Sequence, residues 1–354
     1  VQWKLSDEQS AYQETFRDWL AGVAPSAAVR TWFEARDSAT FESRFRGDGW
    51  AGVGVPEEIG GQGGGLVELV LTAEELARVA APSAAWLATV LALPALAGRA
   101  ELVEAVLGGE HVALLVPAEA VPDELPALDL GPDGTITGSV PRVLAGDVAR
   151  HLVVAVADGE KRELRLVTVG PETGVTPRRL LDRSRSVADI ALDSAPSEPL
   201  DVDAEAVLRE AAARAAVLVA GDSLGATERM LDLAVEYSKQ RHQFGVPIGS
   251  FQAVKHAAAT ILVGVEAARS VVYFAAASVD AGAPQSAMHA AAAKAQVTAE
   301  GSRAADSALT MHGAIGYTWE HDLQLFYKRV RLDEQLAGTP HAWNERLADA
   351  LELA

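Results

Sequence analysis

The chain has 354 residues, 49 of them acidic and 30 basic, giving a net charge of −19, and it has no cysteine. That balance argues against nucleic acid and anionic membranes as partners, because a basic face supplies most of such affinity. It still leaves room for a local cationic cluster that holds a phosphorylated ligand. Without cysteine there are no disulfides, thiolate metal sites or cysteine nucleophiles, and the eight histidines show no HExxH or HxxxH spacing that would build a zinc site.

The length supports two or three packed units. The opening stretch VQWKLSDEQS is polar and lacks the apolar region of a secretory leader, so a cytoplasmic protein is expected. Residues 1–110 read as an N-terminal helical domain. The SDEQ pattern at residues 6–9 is a capping box, and Tyr12, Phe16, Trp19, Leu20 and Val23 follow at helical spacing. VGVPEEIGGQGGG, residues 53–65, carries five glycines in six positions and must be a loop. The most membrane-like run, AAPSAAWLATVLALPALAG at 80–98, holds two prolines and many alanines and reads as a buried bundle helix rather than a span.

Near residue 111 the pattern changes. HVALLVPAEA, GTITGSV, HLVVAVA, ELRLVTV and VADIALD are short apolar or alternating runs separated by Gly, Pro and Asp. They predict a middle antiparallel β domain over 111–200. From 201 to 354 the helical period returns as a C-terminal bundle. Met230, Leu233, Ala234 and Tyr237 mark one core face, and Phe251, Val254, Ala258, Leu262 and Val265 mark the next. Alanine-rich sequence after 286 suits close helix approach. The expected fold is α+β and mainly α.

The most informative stretch is RHQFGVPIGSFQAVKH, residues 241–256. A plain reading ends a helix near Phe244 and Gly245, lets Arg241 serve the helix dipole and places a turn at 246–249. That leaves Gln243, Phe244, Phe251 and Gln252 crowded at one bend without a reason. A guanidinium beside glycine backbone suits a diphosphate, an aromatic ring suits a flat heterocycle, and an amide suits a base edge. On the residues alone both readings stay open.

YSKQRHQFGVPIGSFQAVKH resembles the signature of the acyl-CoA dehydrogenase family, R-x-Q-F-G-x-P-I-x-x-F-Q-x-x-K-H. MHGAIGYTWEHDLQLFYKR, residues 311–329, is similar to the family's HGGIGYTWEHD stretch, and GWAGVGVPEEIGGQGGG, residues 49–65, to its N-terminal V-P-E-E loop. The three occur in the family's order over nearly the whole chain. The resemblance implies a helical domain, a β domain and a four-helix bundle that bind FAD and remove hydrogens from Cα and Cβ of an acyl-CoA. A carboxylate takes the proton, and the flavin takes the hydride. It further implies that Arg241, Gln243, Phe244, Gly245 and Gln252 reach across a subunit interface to the neighbour's FAD. Gly313, Gly316 and Thr339 would do similar work, and an electron-transfer flavoprotein or a similar acceptor would take the electrons. Thr310 and Ala314 depart from the family's glutamine and glycine.

Other departures are larger. The family's catalytic glutamate precedes a Gly-Thr pair, and here LAGTP puts Ala337 in that place. The alternative base position, ten residues before the glycine matching Gly225, holds Ala215, with Glu210 the nearest acid upstream. ALLVPAEAVPDE, residues 113–124, stands where members have T-E-P-x-A-G-S-D, and VPRVLA at 140–145 replaces K-x-W-I-T-N, so Arg142 and Leu144 take the places of a tryptophan and a threonine. No catalytic base is assigned. The pattern resembles the base-lacking subunit of α2β2 bacterial dehydrogenases acting on steroid side chains, whose partner is a base-bearing homologue. Two alternatives stand beside it, a homomeric dehydrogenase with a non-standard base and an inactive binding or scaffold homologue. Glu57 and Glu58 read as solvated loop acids. Glu320, His321 and Asp322 read as acids favouring a helix start rather than as an acid–base set.

Overall fold

The computed structural model describes residues 4–124, 126, 128–158 and 161–351, so the first three residues of the polar N-terminal stretch lie outside the described residues. Six helices come first: α1 (Asp7–Val23), α2 (Ser26–Ala35), α3 (Ala39–Gly47), α4 (Leu66–Arg78), α5 (Ala84–Ala92) and α6 (Ala100–Leu107). Eight strands follow: β1 (Val112–Leu114), β2 (Asp129–Leu130), β3 (Thr135–Leu144), β4 (His151–Asp158), β5 (Lys161–Thr168), β6 (Thr173–Arg178), β7 (Val187–Pro196) and β8 (Glu198–Pro199). Then come α7 (Ala204–Gln240), a short ladder of β9 (His242–Gln243) and β10 (Val246–Pro247), α8 (Gln252–Asp280), α9 (Ser286–His312), α10 (Leu323–Asp333) and α11 (Pro340–Ala350). The mainly helical α+β expectation holds. The chain divides into two compact units, one of Val1–Ala35, Leu66–Ala81 and Ala216–Ala354, the other of Arg36–Gly65 and Pro82–Ala215.

In the first unit the capping box forms as read. Ser6 Oγ accepts the Gln9 N–H at 3.1 Å and Gln9 Oε1 accepts the Ser6 N–H at 3.0 Å, so Phe16 and Leu20 enter the core from a fixed helix start. α4 and α7 touch at Gly225, where a Cβ would lie 2.0 Å from the Glu74 carbonyl oxygen. Polar groups buried at this crossing are paired, as burial demands. The Glu74 carboxylate accepts from the Tyr273 hydroxyl at 2.7 Å and from Arg269 at 3.1 Å, and Arg17 holds Glu75. Deeper still, Arg329 donates from Nε and Nη2 to both oxygens of Asp222 at 2.7 and 2.6 Å, and from Nη1 to the Ala81 carbonyl at 2.8 Å.

α8 corrects one expectation. Phe251, Val254, Ala258 and Leu262 are not its core stripe: Phe251 and Leu262 are exposed and Val254 and Ala258 half-buried, whereas Ile261, Val265, Ala268, Val272 and Ala276 face inward against α4 and α9. A second apolar face is carried by this helix, so periodicity by itself could not choose between them. α8 is also long and apolar enough to cross a membrane by composition, with a mean hydropathy of 1.4 over its most apolar stretch. The run at 80–98 instead makes the nine-residue buried helix α5, which gives way at Leu93 to a 3₁₀ turn that includes Pro94.

The second unit holds two four-stranded sheets, in the orders β1-β4-β5-β8 and β2-β3-β7-β6. Among the described residues all pairs in these sheets are antiparallel except β1–β4, which is parallel and departs from the purely antiparallel expectation. The intervening chain, with β2 and β3, supplies the crossover that a parallel pair needs. The glycine loop is enforced sterically. At Gly61 a Cβ would lie 2.0 Å from the Val55 oxygen, and Gly60 turns at φ 90°. Glu57 and Glu58 are exposed there, as read.

Candidate cofactor corner and base positions

α7 ends at Gln240, before the predicted end, because a two-residue hairpin follows. Gln243 pairs with Val246, and the turn lies at Phe244 and Gly245, with φ 53° and 81°, rather than at 246–249. Positive φ at both central residues is the geometry such hairpins require. Glycine adopts it freely, but a phenylalanine there is strained by about 1–3 kcal/mol. The Phe244 ring gains little from its own chain in return. It is 92% exposed, and among the described residues its ring meets only the edge of Phe251, at 6.1 Å between centroids.

Arg241, Gln243, Gly245 and Gln252 are exposed at the same corner. Among the described residues, the Arg241 guanidinium makes no hydrogen bond or ion pair. Gln252 opens the 29-residue α8, and its N-cap residue Phe251 makes no side-chain capping bond. Free N–H groups at that helix start favour an anion. An unpaired cation, an outward ring, an amide and an uncapped helix start thus meet at one bend, a donor set that fits an anionic group carrying a flat heterocycle.

Gly313 and Gly316 belong to a 3₁₀ turn, Gly313–Tyr317, after α9. Gly313 is exposed and turns at φ 63°, while Gly316 is buried, with room for a Cβ denied at 2.8 Å by Leu309. This turn is joined to the corner through rings. Tyr237, in the last turn of α7, stacks on His312 at 4.9 Å, and His312 meets His321 at 4.6 Å. Asp322 takes the N-cap position of α10, the helix start expected for these acids. Asp322 makes no capping bond and holds Ser26 at 2.6 Å and Arg30 at 2.6 and 2.9 Å, while His321 Nδ1 accepts the Leu323 N–H at 3.1 Å.

Thr339 stands apart from the corner residues in its bonding. Its hydroxyl caps α11 by accepting the Ala342 N–H at 3.2 Å. Before it, Ala337 is buried at φ 54°, and its carbonyl accepts the Trp343 indole N–H at 2.8 Å. Lys294 donates to the Gly338 carbonyl at 2.7 Å. Burial pushes the Lys294 amine down to about 7, with Asp333 and Glu334 opposing. Ala215 is fully buried in α7, on the second unit's stretch of the chain. At both positions, 337 and 215, the side chain is a buried methyl group.

In the second unit Arg142 sits on a β3 bulge at φ 50°. It pairs with Glu119, and its N–H donates to Asp189 at 2.9 Å, while Leu144 is buried. Residue reading gave no role to Lys294, His312 or Arg329, and it placed His321 only with the acids at a helix start. A single lysine in AMHAAAAKAQV and an arginine within the stretch LQLFYKRVRLD were the available signals.

The acyl-CoA dehydrogenase N-terminal domain family matches residues 6–108, and the acyl-CoA dehydrogenase C-terminal domain family matches residues 206–351. Acyl-CoA dehydrogenase IpdE2 of Mycobacterium tuberculosis is 35% identical over 345 residues, 96% of each chain. The chain belongs to the acyl-CoA dehydrogenase family. Acyl-CoA dehydrogenase FadE34 of the same species is 34% identical over 360 residues, 97% of this chain and 48% of that one. A variant of the Tcur3481–Tcur3483 steroid ACAD superposes with a TM-score of 0.88 at 25% identity, covering 98% of both chains. Butyryl-CoA dehydrogenase from Megasphaera elsdenii shares the fold, with a TM-score of 0.88 at 23% identity over 99% of this chain and 100% of that one. Acyl-CoA dehydrogenases are FAD-dependent oxidoreductases, and the corner's donor set suits that cofactor.

Proposed function

We propose that this acyl-CoA dehydrogenase chain works as one subunit of a heteromer. It lends the Arg241–Gln252 corner to an FAD held mainly by a base-bearing homologue, and it supplies no proton acceptor itself. The observation that carries the reading is Phe244, a strained ring turned 92% into solvent beside an unpaired guanidinium. Such a corner costs the isolated chain free energy that only a bound partner group offsets.

The division of labour follows from the residues. Arg241 would neutralise diphosphate charge, Phe244 would cover the adenine face, and Gln243 and Gln252 would offer amides to its edge, with the α8 start adding N–H donors. When bound, FAD supplies acceptance of the β-hydrogen as hydride. Removing the α-proton needs a carboxylate within hydrogen-bond reach of the thioester carbon. The alanine methyl groups at 337 and 215 cannot do that, so the base belongs to the partner. The substrate class that fits is an acyl-CoA, and the likeness to a steroid ACAD points to a CoA thioester of a steroid side chain.

The test is co-expression. With a glutamate-bearing homologue encoded nearby, the chain should yield a yellow complex active on an acyl-CoA, and alone it should retain little flavin. Turnover by the chain alone would overturn the reading. In the complex, Arg241→Ala should lower FAD occupancy while leaving the far-ultraviolet circular dichroism unchanged. Unaltered occupancy would remove Arg241 from the cofactor site.

A further inference from the structure

The rings at Tyr237, His312 and His321 form a cluster that the proposed chemistry does not use. His312 is 3% exposed. Its Nδ1 lies 2.7 Å from the Ala308 carbonyl and must donate, so in the neutral ring Nε2 keeps its lone pair. That Nε2 is buried with no hydrogen-bond partner. His321 has the opposite demand. Its Nδ1 accepts the Leu323 N–H and therefore carries no proton. This is the side-chain cap of α10, because Asp322 is committed to Ser26 and Arg30.

We propose that Tyr237, His312 and His321 are positioning residues, a latch that seats the 313–322 segment only while both imidazoles are neutral. A proton on His321 Nδ1 turns the cap acceptor into a donor facing a donor and puts a cation at the positive end of α10. A proton on His312 Nε2 makes a buried cation 4.6 Å from the second imidazole, and the Leu233 carbonyl facing the ring offsets only part of the cost of burying that charge. Either event loosens the segment that carries Gly313, Ile315, Tyr317 and Trp319.

The surrounding charges agree with this. Burial is the leading cause that holds both histidines below their ordinary value, reinforced at His312 by His321 and at His321 by Arg30 of α2. Opposing it are the Ala308 and Leu233 carbonyls at His312 and the Asp322 carboxylate at His321. Tyr237 contributes a neutral face, and Lys328 of α10 sits 4.6 Å over the Trp319 ring. Once freed, each ring binds its proton near the ordinary 6.5. The latch is therefore at full strength above that pH and weakens as the pH falls below it, by up to about tenfold per pH unit per proton.

The test is hydrogen exchange on the full chain between pH 8 and 5, with rates normalised to intrinsic exchange. Protection of the 313–323 amides should fall below pH 6.5 by more than the tenfold per unit that one proton allows, up to about a hundredfold for two, while α9 amides at 290–305 hold theirs. His321→Asn, which can still cap but does not titrate near neutrality, should make the fall shallower, as should His312→Phe, which keeps the stack. Flat protection from pH 8 to 5, or the wild-type slope in both variants, would overturn the latch. Its consequence for cofactor retention rests on the function proposed above. If exchange switches as described but the co-expressed complex holds FAD equally at pH 7.5 and 5.5, the latch stands and the assignment of Gly313–Tyr317 to the cofactor fails.

Discussion

Replacing Lys294 by methionine tests how the Ala337 bend is held. The lysine is fully buried, donates to the Gly338 carbonyl at 2.7 Å and releases its proton near pH 7 instead of the ordinary 10.5. Between those values the unfolded chain binds a proton that the native chain does not, so native stability rises with pH across that window and levels off below pH 7. At about 1.4 kcal/mol per pH unit, the rise from pH 7.5 to 9.5 is ~3 kcal/mol. Lys294→Met removes it. The assay is urea unfolding of both chains at the two pH values, comparing the differences so that groups titrating alike cancel. For a slope near 3 kcal/mol per molar urea, the wild-type midpoint should climb about 1 M relative to the variant. Parallel midpoints at both pH values would show that burial does not govern this amine, and the account of the bend would fall with it.

Gly225→Ala should destabilise the first unit by roughly 3 kcal/mol or more, because neither helix backbone at that crossing can yield the space a Cβ needs; an unchanged melting temperature would contradict the contact. Phe244→Asn should stabilise the chain by about 1 kcal/mol, since asparagine tolerates the left-handed turn, while lowering FAD occupancy in the complex. A variant that gains no stability, or that loses none of its flavin, would count against the reading of the corner. Arg329→Met leaves Asp222 buried without its bidentate partner and should cost about 3–5 kcal/mol. Adding Asp222→Leu should restore much of that loss, as a double-mutant cycle by thermal unfolding would show.

Local signals were legible where they were strong and short-ranged. The capping box at Ser6 and Gln9, the glycine loop before α4 and five of the strands follow from neighbouring residues, and the structure bears them out. The corner at 241–252 was legible as an odd gathering of residue types, but its turn was displaced. Two positive φ values at Phe244 and Gly245 arise from the pairing of Gln243 with Val246, which no propensity assigns to phenylalanine. The α8 core face was misread because the helix has apolar residues on two sides, and only packing against α4 and α9 selects one.

By itself the sequence determined the order of helical and strand regions, the family signatures and the alanines at positions 215 and 337, because composition, period and residue identity are properties of the chain read in line. Only the tertiary structure decided which side of α8 is buried, that β1 runs parallel to β4, that Asp322 answers Arg30 and that three rings from α7, α9 and the start of α10 meet. Each of these joins residues from different elements. Their pairing depends on which surfaces bury together, and that free energy does not exist until the elements pack.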